Sequence, residues 1–68
     1  MIQQQQIHVW RARLRVSQEE LARETGISQA RISRAEHGLV RLSDEEMTMI
    51  HECIMRKRAG KSRRKTAV

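Results

Sequence analysis

The apolar positions of this chain recur three or four residues apart, which is the spacing of a helix and not the alternation of a β-strand. Four stripes follow one another, at Ile7, Trp10 and Leu14; at Leu21, Ala22 and Thr25; at Ile32 and Ala35; and at Met47, Ile50 and Ile54. The first stripe predicts a helix from about Gln4 to Arg13 or Leu14. The pattern as a whole predicts an all-α fold.

The predicted helix starts and ends are marked by capping residues. Ser17 stands three residues before Glu20, and Ser43 three residues before Glu46, which is the spacing of a capping box. Apolar pairs of the hydrophobic-staple type flank three starts: Val16 with Leu21, Ile27 with Ile32, and Leu42 with Met47. Gly26 and Gly38 follow the second and third helices, as left-handed capping residues commonly do. The chain is therefore expected to form a helix of about eight residues, a turn through residues 26–28, and a helix of similar length.

Two short helices joined by such a turn form a helix-turn-helix unit, whose second helix can enter the major groove of DNA. That predicted recognition helix covers Gln29 to Glu36. If Ile32 and Ala35 face the core, the helical period exposes a small, polar and basic face made of Gln29, Ala30, Ser33, Arg34 and His37. Gln and Arg can bind adenine and guanine edges through two hydrogen bonds, and Ala can contact a thymine methyl group. Arg34 is the strongest candidate for a contact to a base.

Arg31 is an unusual residue for the first turn of a helix. The other two capped helices carry Glu at the equivalent position, Glu20 and Glu46, as the helix dipole prefers. An arginine there is expected where a phosphate will lie, although an ordinary solvated side chain is the alternative. Ser28 and Arg31 are therefore included in the predicted DNA-binding surface.

Residues Ser17 to Gly38 carry the pattern S-Q-x-x-L-A-x-x-x-G-I-S-x-x-x-I-S-x-x-E-x-G without exception. This segment closely resembles the Cro/phage-repressor (XRE-like) helix-turn-helix family, and the resemblance extends over about Ile7 to Met55. It implies a compact, lambda-repressor-like bundle of four or five helices. It also implies binding to double-stranded operator DNA, usually as a dimer, and hence a small transcriptional repressor.

The resemblance assigns further roles position by position. It implies that Gln18 contacts a phosphate and supports Gln29, and that His37 lies near the DNA backbone. Bases would be contacted by Gln29, Ala30, Ser33 and Arg34. An ion pair between Arg11 and Glu36 would join the first helix to the recognition helix. The chain departs from the family at Arg15, where a glycine is common, so Arg15 must be left-handed or the first helix must end differently.

Charge divides the chain into two parts. Residues 1–55 contain seven arginines and eight acidic residues, a net of −1, whereas residues 56–68 contain seven basic residues and no acidic one. We expect a DNA-binding domain over 1–55 and a basic, disordered tail over 56–68 that attracts polyanions. An antitoxin that represses its own gene and docks a protein partner through this tail is the alternative function. A membrane-surface tail is disfavoured because it has few apolar residues.

Other classes of function find little support. The single Cys53 and the scattered His8, His37 and His51 do not form a metal-ligand set, and the serines are explained as helix caps, so neither a cofactor nor an enzymatic activity is expected. With no disulfide, no apolar run that could span a bilayer and no signal peptide, a cytoplasmic location is expected. Met49 and Cys53, four residues apart on the fourth helix, are predicted to form the interface of a homodimer.

Overall fold

The computed structural model describes the backbone of residues 1–67 and the side chains of residues 1–60. Its regular elements within these residues are all helical. They are a 3-10 turn at Gln4–Gln6 and the helices α1 at Ile7–Leu14, α2 at Gln18–Thr25, α3 at Gln29–Glu36 and α4 at Asp44–Ala67. The prediction of an all-α bundle is confirmed, with four α-helices.

A serine caps each of the helices α2, α3 and α4. Its hydroxyl oxygen accepts a hydrogen bond from the backbone N–H three residues later: Ser17 from Glu20 at 2.9 Å, Ser28 from Arg31 at 3.2 Å, and Ser43 from Glu46 at 3.1 Å. At α4 the capping box is complete, because the backbone N–H of Ser43 also donates to Glu46 Oε1 at 2.8 Å. At α2 the carboxylate of Glu20 contacts Lys57 instead, so only the serine half of the predicted box forms.

The end of α1 depends on a left-handed arginine. Arg15 has φ 57° and ψ 41° and follows Leu14 directly. Its backbone N–H donates to the carbonyl of Ala12 at 3.3 Å, and the N–H of Val16 donates to that of Arg11 at 2.9 Å. Arg15 therefore takes the conformation that a glycine adopts more easily, and α1 ends where the family pattern would end it.

The core lies where α4 packs across α1 and α2, with α3 packed against α2. Six side chains are fully buried there: Ile7, Leu21, Ile32, Ile50, Cys53 and Ile54. The apolar residues that precede the three caps, Val16, Ile27 and Leu42, are buried too. The hydrophobic stripes and staples thus meet in one cluster, which fixes the angle at which each helix enters the bundle.

Cys53 does not lie on an exposed strip with Met49, so its assignment to a dimer interface is wrong. Its side chain has no exposed area and belongs to the core, whereas that of Met49 is 39% exposed. Ile50, Cys53 and Ile54 follow the spacing i, i+3, i+4 and face inward together. The buried face of α4 is therefore wider than Met47, Ile50 and Ile54 alone.

The basic segment continues α4 without a break as far as Ala67. Over residues 56–60 this differs from the expected disordered tail, and the reason is tertiary contact: Lys57 forms ion pairs with Glu20 and Glu24 of α2. The guanidinium of Arg58 lies 5.8 Å from the centre of the Trp10 ring. The side chains of residues 61–68, on which the rest of that prediction depends, lie outside the described residues. Within the described residues, none of the helices contains an apolar stretch of the length that spans a lipid bilayer.

Candidate nucleic-acid interface

Helices α2 and α3 form a helix-turn-helix whose turn is fixed by hydrogen bonds. The backbone N–H of Gly26, which has φ 78°, donates to the carbonyl of Ala22 at 2.9 Å. Thr25 Oγ1 donates to the carbonyl of Leu21 at 2.8 Å and accepts from the N–H of Ile27 at 3.3 Å. These bonds and the buried Ile27 set the orientation of α3 against α2.

The outward face of α3 is exposed as the helical period predicts. Gln29, Ala30, Arg34 and His37 are exposed, as is Ser28 before them, while Ser33 is half-buried. His37 Nδ1 lies 2.7 Å from the carbonyl oxygen of Ser33, which turns that ring back along the helix. Among the side chains of residues 1–60, no carboxylate forms an ion pair with Arg34. This face therefore presents hydrogen-bonding groups and one positive charge, with no acidic side chain on it.

Arg11 and Glu36 hold the opposite side of α3 against α1. Arg11 Nε donates to Glu36 Oε2 at 2.6 Å and Nη2 donates to Oε1 at 2.7 Å, while Nη1 donates to the carbonyl of Val16 at 3.1 Å. The two side chains are only 17% and 5% exposed, respectively. The sequence resemblance predicts an ion pair between these two residues. A contact made through two parallel hydrogen bonds fixes orientation as well as distance, so the end of α3 cannot rotate freely.

The ionisation of Glu36 depends on the same contact. Burial by itself raises the pKa of Glu36, but hydrogen bonds from Arg11 and Gln18 outweigh that effect, and the pKa lies below its usual value. The glutamate hydrogen bonds raise the pKa of Arg11 against the opposite effect of burial. The pair is therefore ionised at neutral pH.

Gln18 is placed differently from the role that the resemblance implied. Its Nε2 donates to Glu36 Oε1 at 3.0 Å, so its amide belongs to the Arg11–Glu36 contact and not to a support for Gln29. The side chain is half-buried at the start of α2. Gln18 thus links the two helices of the motif to α1.

Arg31 is also placed differently from the expectation that it awaits a phosphate. Its guanidinium donates two hydrogen bonds to Glu46 of α4, from Nε to Oε2 at 2.7 Å and from Nη2 to Oε1 at 2.9 Å. Hydrogen bonds from Arg31 are the main cause that lowers the pKa of Glu46 to about 2. Gln18 and Arg31 thus bind glutamate side chains within the protein. The other residues predicted to contact DNA lie along one face of α3 and at its two ends.

Gln4 is a structural residue of this region that sequence reasoning missed. Its Nε2 donates to the carbonyls of Ala35 at 3.1 Å and Val40 at 2.6 Å, and its Oε1 accepts from the N–H of Leu42 at 2.8 Å. One amide thus ties the end of α3 to the loop that leads into α4. The run of four glutamines at positions 3–6 gave no sign of it, because the partners are backbone groups 31 to 38 residues away.

In residues 1–60, no group of His, Cys, Asp or Glu side chains is placed to hold a metal ion.

A family model described as helix-turn-helix matches residues 7–53, which includes α1, the motif and the buried part of α4. No curated protein and no solved structure matches the chain. The matched segment contains the exposed face of α3 and the Arg11–Glu36 contact that holds this helix against α1.

Proposed function

Because the chain belongs to the XRE-type helix-turn-helix family of DNA-binding transcription regulators, we propose that it is a repressor that binds a near-palindromic operator as a homodimer. The observation that carries the proposal is the acid-free, exposed face of α3, held in one orientation by the partly buried Arg11–Glu36 contact. A rigid helix with outward hydrogen-bonding groups is what direct contact to base edges in the major groove requires.

Gln29 and Arg34 are assigned to base edges, Gln29 to adenine and Arg34 to guanine, because each can form two hydrogen bonds there. Ala30 and Ser33 lie on the same face and would contact a thymine methyl group or a neighbouring base. Ser28 and His37, at the two ends of α3, are assigned to the sugar-phosphate backbone.

The length of α3 favours a dimer. Eight residues make a helix of about 12 Å, which spans roughly four base pairs at about 3.4 Å each. A four-base-pair sequence recurs about once in 256 base pairs by chance, so one copy cannot select an operator against genomic DNA. Two copies related by a twofold axis would contact half-sites about 34 Å apart. The exposed Met49 of α4 is the residue left for the predicted interface.

Selection from a random duplex library, followed by footprinting, tests the proposal. A near-palindromic site with half-sites about one helical turn apart is expected. Arg34→Ala should then weaken binding by about 1 to 3 kcal/mol and relax the preference at one base pair in each half-site.

Arg34→Lys is the matched control, because it keeps the charge and loses the paired hydrogen bonds to guanine. It should lose the base preference and keep the salt dependence of the natural chain. A protein that enriches no sequence, or whose Arg34→Ala variant keeps the full preference, would contradict the proposal.

A further inference from the structure

The contact between Arg31 and Glu46 joins the first turn of the recognition helix to the first turn of α4. Both carboxylate oxygens of Glu46 take part, at 2.7 and 2.9 Å from the guanidinium. The side chain of Glu46 is 19% exposed, whereas that of Arg31 is 41% exposed. The guanidinium therefore stays within reach of solvent, and of a DNA strand laid against the start of α3.

Glu46 is oriented toward Arg31 by its own helix. Its Oε1 also accepts from the backbone N–H of Ser43 at 2.8 Å, and its N–H donates to Ser43 Oγ at 3.1 Å. The capping box thus fixes the carboxylate before any contact with Arg31 is made. A phosphate that binds Arg31 must therefore displace the Glu46 carboxylate, which the capping box already holds in position.

Two features of the start of α3 would otherwise attract a phosphate. Its first turn contains no acidic residue, so the positive end of the helix dipole has no counter-charge on its own helix. The charge of Arg31 adds to it at the same place. Glu46, supplied by α4, is the anion found there.

We infer that Glu46 competes with DNA phosphates for Arg31 and thereby lowers the affinity of the chain for DNA of any sequence. The inference rests on the proposed DNA-binding function. An arginine that stays paired with Glu46 releases no counterion from DNA and makes no phosphate contact. Because phosphate contacts carry no sequence information, base preference stays with the outward face of α3.

The test is Glu46→Gln, with Glu45→Gln as its control. Glutamine preserves the capping box and removes the charge that holds Arg31. Glu45 is exposed in the same turn and makes no ion pair among the described side chains, so its substitution changes the net charge equally. Binding to a short fluorescent duplex of mixed sequence is measured by anisotropy over a series of salt concentrations.

Glu46→Gln should gain one phosphate contact relative to Glu45→Gln. Its log-log salt slope should be steeper by about 0.9, which corresponds to about eightfold tighter binding at about 0.1 M salt when the contact contributes nothing at 1 M. Thermal unfolding followed by circular dichroism checks that both variants are folded.

A second variant keeps the test independent of how well Glu46→Gln folds. Arg31→Gln alone leaves the Glu46 carboxylate without its partner and so weakens binding by charge repulsion, but it should leave the log-log salt slope unchanged, because the guanidinium is not on the DNA. Combined with Glu46→Gln, it should abolish the gain. The comparison isolates Arg31 as the group released by the first substitution.

Two results would overturn the inference while the proposed function stands. One is Glu46→Gln and Glu45→Gln with equal affinities and slopes. The other is Arg31→Gln alone with the slope reduced by about 0.9, since Arg31 would then contact phosphate in spite of Glu46. A natural chain that binds no duplex at any salt concentration would instead overturn the proposed function, and this inference with it.

Discussion

Glu36→Ala tests how α3 is held, because it removes one side of a partly buried ion pair. The carboxylate accepts three hydrogen bonds, two from Arg11 and one from Gln18, and its side chain is only 5% exposed. Alanine would leave the Arg11 guanidinium, itself 17% exposed, without its counter-charge. Removing one partner of a fully buried pair costs about 3 to 5 kcal/mol, and because this pair is partly buried a loss at the lower end, about 3 kcal/mol, is expected.

That cost is large for a chain of 68 residues. Domains are stable by roughly 0.05 to 0.15 kcal/mol per residue, which gives about 3 to 10 kcal/mol here. A loss of about 3 kcal/mol should lower the melting temperature by about 12 to 24 °C in a domain of this size. Thermal and urea unfolding, followed by far-ultraviolet circular dichroism, measure the loss.

Two further variants identify its cause. Glu52→Ala removes an exposed glutamate from α4 and should leave the melting temperature within about 3 °C, since surface substitutions cost little. Arg11→Ala combined with Glu36→Ala should cost less than the sum of the single losses, because the double variant leaves no buried charge unpaired. Additive losses, or a Glu36→Ala variant as stable as the natural chain, would refute the assignment of this pair as the support of α3.

Three more predictions concern acid stability, the end of α1 and the basic segment. The pKa of Glu46 is lowered to about 2 in the folded state, below its unfolded value of about 4.3. The ionised carboxylate therefore stabilises the fold at any pH above that unfolded value. The free energy of unfolding should decrease between about pH 4.5 and pH 2, and by less in Glu46→Gln. Arg15→Gly relieves a left-handed arginine and should raise the melting temperature by a few degrees, up to about 1 kcal/mol of stability, whereas Arg13→Gly within α1 should lower it. Truncation after residue 60 should flatten the salt dependence of DNA binding by about 0.9 per lost phosphate contact. Truncation after residue 55 should in addition lower the melting temperature below that of the first truncation, because it removes Lys57 from Glu20 and Glu24. An unchanged acid profile in Glu46→Gln, a melting temperature lowered by Arg15→Gly, or two truncations of equal stability would each contradict the corresponding argument.

Local patterns predicted the motif well. The bounds of α3 follow from a serine cap before Gln29 and from the left-handed Gly38 that follows its C-cap residue, His37, and both are signals within a few residues of the helix they delimit. The exposed face of α3 follows from the period of Ile32 and Ala35 alone. The bounds and the exposed face of α3 depend only on residues that are close together in the sequence, so both can be predicted from the sequence.

The contacts that the sequence did not predict involve partners that are distant in the sequence. Arg31 and Glu46 are 15 residues apart, and Lys57 and Glu20 are 37 apart; no periodicity or cap signals such pairs. The stripe of Met47, Ile50 and Ile54 accounts by itself for one buried face of α4, so the sequence pattern predicts Cys53 outside the core. How wide a buried face is depends on how many helices pack against it, and that is a tertiary property.

Burial of Cys53 also gives the protein an internal reporter of its own opening. It is the only thiol in the sequence, its side chain has no exposed area, and burial is the main cause that raises its pKa. The thiolate is the nucleophile that reacts with alkylating and disulfide reagents, so the folded molecule should react only when α4 separates from α1 and α2. The rate of labelling would thus measure the free energy of that opening in the natural sequence, and bound DNA should slow it in proportion to occupancy.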